Sequence, residues 1–164
     1  MVKLTVAVTE KNNQLVPFVK RSKEFDGRQL QIGYPVGAPV APPTRIGSGH
    51  KPYKSMLQLR RVMIMHEEGT ENMPARPWFG PAIENNEKRI EKRCAKAVQT
   101  GLEKVANPKT AMDQVGAYIV GLLRESIRNI PGPPLKGDPI RRKGRSTLLR
   151  DTNSAYNSLT WRVK

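Results

Sequence analysis

The stretch that most restricts how this chain can fold is Met73-Pro74-Ala75-Arg76-Pro77-Trp78-Phe79-Gly80-Pro81, with the pattern that follows it. Each proline fixes its own φ and pushes the residue before it out of the helical region, so the approach must be extended and stiff. Pro81 then suits a first helical position, where its missing N–H leaves no bond unmade. Downstream, Ile83, Ile90, Cys94, Ala97, Val98, Gly101, Leu102 and Val105 recur at helical steps and form one apolar stripe. Lys88, Arg89, Glu91, Lys92, Arg93 and Lys96 occupy the other face. The expectation is an aromatic plug at the root of a long amphipathic helix, wedged against that helix's own stripe. Two roles stand open for the plug. It is either an anchor that fixes where the chain enters the helix, or a subunit contact made by Arg76, Trp78 and Phe79, because Trp and Arg are enriched at binding hot spots.

A second stripe follows the Asn107-Pro108 pair: Met112, Val115, Ile119, Leu122, Leu123, Ile127 and Ile130. The helix is expected to start near Asn107-Pro108, or at Thr110 with Asp113 three residues on as a capping pair, and Pro131 should end it. Gly116 and Gly121 lower its helix propensity, which suggests that a neighbouring helix packs closely there. Helices over about 82–106 and 108–130, joined by so short a turn, are expected to form an antiparallel hairpin.

Strands are sought by alternation. Residues 3–9 place Leu4, Val6 and Val8 every second position, and residues 30–34 and 159–163 alternate in the same way. Residues 10–28 are an ambiguous stretch with room for a short helix. Arg61 to Met65 reads as a buried strand or as the end of a helix leading into His66-Glu67-Glu68-Gly69-Thr70; the sheet is expected to contain 30–34, 61–66 and 159–163. Asp151 or Thr152 can cap a short helix through Tyr156. Pro and Gly crowd 35–52 and 131–145, so both are expected to be extended loops; the first is expected to become ordered mainly against other subunits. The result is one domain over 1–164 of α+β class, a small mostly antiparallel sheet packed against a two-helix antiparallel hairpin with long Pro/Gly-rich loops.

Charge bounds the partners. The formal net charge is +15, from 29 Lys+Arg against 14 Asp+Glu, which favours a polyanion or an acidic protein surface nearby. Lys136, Arg141, Arg142, Lys143 and Arg145 concentrate that charge in the second loop and are the candidates to face DNA or an acidic neighbour; a purely solvated loop is the simpler alternative. The single Cys94 sits on an apolar stripe, so it is read as a small hydrophobe in a reducing compartment. The N-terminus does not resemble a signal peptide, and the longest nearly apolar run, residues 115–123, falls well short of the roughly 20 residues that span a membrane.

Chemistry is hard to place. His66-Glu67 lacks a second His four positions after the first, so it is no zinc-protease helix. A phosphate-cradling Gly-Lys-Ser loop and a nucleophile elbow are both missing. His66 is read as a residue that closes a strand by hydrogen bonding. No catalytic, metal or cofactor residues are expected, and the chain is expected not to be an enzyme.

Several segments taken together resemble the tail-completion and head–tail connector (neck) proteins of tailed bacteriophages. These are the apolar segment running into His-Glu-x-Gly-Thr, then Met-Pro-Ala-Arg-Pro-Trp-Phe, then two helices. Pro133-Pro134-Leu135 follows, and the likeness closes on Leu148-Leu149-Arg150-Asp151-Thr152 before a short helix and strand. It covers about residues 60–164 in order. Two positions depart: the family usually has an aromatic where Glu68 stands, and a glycine where this chain has Asn153. The resemblance implies a virion subunit that assembles in the host cytoplasm into a ring, expected to be hexameric, at the head–tail junction. Its partners would be further copies, head-connector and tail-tube or tail-terminator proteins, and DNA in an axial channel, with no membrane. A stand-alone basic nucleic-acid-binding protein is the rival, although the basic loop lacks interleaved aromatics.

Overall fold

The computed structural model describes residues 20, 22–44, 52–103, 107–130 and 153–164. After a helical stretch at 22–25, the elements in chain order are β1 (Leu30–Gly33), α1 (Met56–Glu68), α2 (Gly80–Glu84), α3 (Glu87–Glu103), α4 (Pro108–Arg128), α5 (Ser154–Ser158) and β2 (Thr160–Val163). Among the described residues the fold is α+β: helices combined with a two-stranded antiparallel sheet. β1 and β2 pair with Leu30 opposite Val163 and Gly33 opposite Thr160, so strands far apart in the chain close on each other. The expected strand at 3–9, the 131–145 loop and residues 45–51 lie outside the described residues.

α4 organises the rest. Asn107 caps it with extended backbone, its side chain accepting from the Lys109 N–H at 2.9 Å, and Pro108 follows in the first turn. Asp113 therefore does not close a capping pair with Thr110. It pairs with Lys109 at 2.8 Å and accepts from the Trp161 indole at 2.9 Å. The helix ends at Arg128, before Pro131, with Asn129 at its C-cap. Val115, Ile119, Val120, Leu123 and Ile127 are buried along it, and it packs against α3, α2, β1 and β2. Neither glycine meets a helix as expected. A Cβ on Gly116 would strike the Trp161 ring of β2, whereas one on Gly121 would meet open space.

Two further expectations are corrected. Residues 61–66 are helical, not a strand of the sheet: Ser55 caps α1 by accepting from the Gln58 N–H at 3.2 Å, and Gly69, at φ 79°, closes it. The apolar run that imitated a strand is split by helical geometry, with Met63 buried beside Met56 and Leu59 while Ile64 and Met65 face outward. The helix expected over 82–106 breaks at Asn85-Asn86, where the Asn86 side-chain amide donates back to the Ala82 carbonyl at 3.0 Å. Residues 35–44, the described part of the 35–52 loop, make contacts within their own chain. Ser158 Oγ accepts from the Ala41 N–H at 2.9 Å, Ser154 Oγ donates to the Ala41 carbonyl at 2.7 Å, and Val40 packs on the core. A Pro-rich segment cannot build a core, but α5 supplies two hydroxyls that meet its exposed backbone.

α5 starts at Asn153, which stands in the left-handed region at φ 56°, a conformation that Gly and Asn adopt far more readily than other residues. Its side chain donates to Thr44 Oγ1 at 3.2 Å, adding to the seam between α5 and the 35–44 segment.

Candidate subunit-contact site

Glu67 sits in the last turn of α1, and its carboxylate takes three consecutive backbone N–H groups. Oε2 accepts from Trp78 at 2.7 Å and from Phe79 at 2.9 Å, and Oε1 accepts from Gly80 at 2.8 Å. α2 needs this acceptor because its N-cap, Phe79, has no side-chain oxygen to offer. The intervening residues fold back tightly. Thr70 and Met73 exchange backbone bonds at 2.8 and 3.1 Å, and the Arg76 N–H donates to the His66 carbonyl at 2.7 Å. A Cβ on Gly69 would lie 2.7 Å from the Ala75 nitrogen, so that position has room only for glycine. His66 thus closes a helix through its carbonyl and not a strand.

The three candidate contact residues separate. Trp78 is 4% exposed and belongs to the core. Its indole N–H points at the Met63 carbonyl at 3.4 Å, and its ring meets Tyr34 edge-on with centroids 5.9 Å apart. The plug therefore wedges against α1 and the end of β1, not against the stripe of the helix it precedes. Arg76 is buried as well, with no hydrogen-bond partner for Nε among the described residues. Phe79 stacks edge-on to Trp78 at 5.6 Å and remains 38% exposed. The anchor role fits Trp78, and only Phe79 of the aromatic pair offers its ring outward. Lys136, Arg141, Arg142, Lys143 and Arg145 all lie outside the described residues.

Tyr34 stiffens the floor beneath this unit. Its hydroxyl donates to the Ala155 carbonyl at 2.9 Å, and burial raises its pKa far above the ordinary phenol range, with Tyr53 adding to the shift. Beside it runs a groove of about 560 Å³ between β1 and α1, lined by Ile32, Val36, Met63, Ile64, Trp78 and Phe79. Val36 at 55% and Ile64 at 43% exposure make its lips apolar. Arg60, Glu67, Glu68 and Lys164 also line it, two of each sign. Such a surface suits an uncharged, apolar polypeptide segment.

Sequence reasoning singled out Trp78 and Phe79 but missed Glu67 and the groove. A signal for Glu67 existed: the helix start at Gly80-Pro81 lacks a Ser, Thr, Asp or Asn cap, so an acceptor had to come from elsewhere. Comparison with family models, with curated proteins and with solved structures found no match to this chain.

Proposed function

We propose that this chain is a structural virion subunit of a tailed phage, a tail-completion or neck protein that forms a ring at the head–tail junction and leaves a channel for DNA. The observation that carries the reading is the Glu67 bridge. It joins His-Glu-x-Gly-Thr to Met-Pro-Ala-Arg-Pro-Trp-Phe, the two segments on which the resemblance rests, in one hydrogen-bonded unit. The left-handed Asn153 supports it too, since this is where the resembled family carries glycine. In this reading α3 and α4 form the antiparallel hairpin behind the sheet, and Phe79 faces a neighbouring subunit. The basic loop, with Lys136, Arg141, Arg142, Lys143 and Arg145, meets DNA phosphates or an acidic adjoining ring without reading base edges. No catalytic step is assigned to any residue.

Size-exclusion chromatography with light scattering tests the proposal on the full chain. A ring-former gives a large discrete oligomer, or binds isolated tail tubes. A monomer or dimer that shifts DNA with steep salt dependence would replace this reading by the rival, a stand-alone nucleic-acid-binding protein, for which the +15 charge speaks.

A further inference from the structure

Among the described residues, the outer edge of β1 has no strand on it. Gln29 and Lys164 exchange both backbone bonds, at 3.0 and 2.9 Å, so the antiparallel alternation places Gln31 and Gly33 in the next bonded pairs. The N–H and C=O groups of Leu30 and Ile32 consequently point away from β2, and they have no hydrogen-bond partner among the described residues. The groove with the apolar lips Val36, Ile64 and Phe79 is lined by residues 31–33 of that same strand. Unpaired backbone next to an apolar groove is the surface that receives an added strand: main-chain bonds hold it, and alternate side chains fill the groove. A sheet of two strands also gains stability from a third.

We propose that the occupant is residues 3–9 of a second copy of this chain, paired along β1 with Leu4, Val6 and Val8 seated in the groove. The inference rests on the ring reading above and names one of its subunit contacts. Three observations favour this occupant. Its alternation is that of a strand, and a strand needs a sheet edge to pair with. From Leu4 to Thr9 it carries no charge, in a chain of net charge +15, and the charges lining the groove cancel. Between Thr9 and the helical stretch at 22–25 lies enough chain to span tens of ångströms, at about 3.3 Å per extended residue.

The test uses the full chain with Cys94→Ala as background. Protein carrying Val6→Cys is mixed with protein carrying Val36→Cys and treated with a short bismaleimide crosslinker. A V6C–V36C heterodimer band is expected, and it should be lost when Val8→Asp is added to the V6C partner. Absence of the heterodimer, or an adduct formed only within one chain when both cysteines are on it, overturns the proposal. Hydrogen exchange gives a second readout that does not depend on crosslinker geometry. The β1 peptide should exchange more slowly in the assembled protein than in V6D/V8D, and equal exchange counts against strand addition. Light scattering keeps the two ideas apart. A normal ring without the crosslink defeats this contact alone, whereas the crosslink without any ring defeats the ring reading and leaves the pairing standing.

Discussion

α3 and α4 carry similar apolar stripes in sequence, yet the fold treats them unequally. α4 buries residues along its whole length and touches both strands, whereas the buried position of α3 is Gly101, against the Phe25 ring. Ile90, Cys94 and Ala97 of α3 are only half-covered, and Val98 is exposed. Arg93 stacks over Tyr118 of α4, at 5.0 Å from the ring centroid, beside a shallow pocket between the two helices. A periodic stripe fixes which face of a helix turns inward. How much of that face is covered depends on how many neighbours reach it: α4 has the sheet on one side and α3 on another, while α3 has α4 as its main support.

The inequality can be broken most forcefully at the two stripes themselves. Leu123 is 0% exposed, so Leu123→Ala should cost about 2–5 kcal/mol in chemical denaturation, and Ile90→Ala should cost clearly less. Equal losses would mean that the helices share the core evenly. Next in size is Gly116→Ala. The added methyl would meet the Trp161 ring at 2.5 Å and force it to shift, for a loss of about 1–3 kcal/mol with a change in tryptophan fluorescence. In the same helix Gly121→Ala should have the opposite sign. Nothing lies within 4 Å of the new methyl, so helix propensity alone acts and the protein should gain about 0.5–1 kcal/mol.

The smallest effect is electrostatic. Hydrogen bonds from Lys109 and then from Trp161 hold the Asp113 carboxyl below the ordinary carboxylate range. A depressed folded-state pKa gives stability that is present above the unfolded value and lost as pH falls through the folded one. Unfolding curves taken downward from about pH 5 should therefore show Asp113→Asn with a flatter acid dependence than the parent. An identical slope would show that the Asp113–Trp161 bond does not couple β2 to α4.

How much of this was legible in advance follows from the range of each signal. Capping and punctuation act within a few residues, so Asn107-Pro108 marked the start of α4, and alternation marked β1 and β2. The break at Asn85-Asn86 was less visible, because the apolar spacing continues across it, and Arg61 to Met65 was ambiguous because a short apolar run suits either a strand or a helix. In the site, Trp78 and Phe79 stood out by residue type. Glu67 did not, since its partners lie 11 to 13 positions later and no local rule joins them.

The sequence by itself determined the amphipathic helices, the two strands that meet, the stiff approach to α2 and the basic excess, since these depend on spacing, backbone restriction and charge. Tertiary structure alone decided that α4 and not α3 would be central, that Trp78 would serve the core while Phe79 faced outward, and that residues 35–44 would rest on α5. It also decided that one edge of β1 would be without a strand among the described residues, with an apolar groove lined by the same strand. Those outcomes depend on which surfaces arrive next to one another, and periodicity in a single segment carries no information about its neighbours.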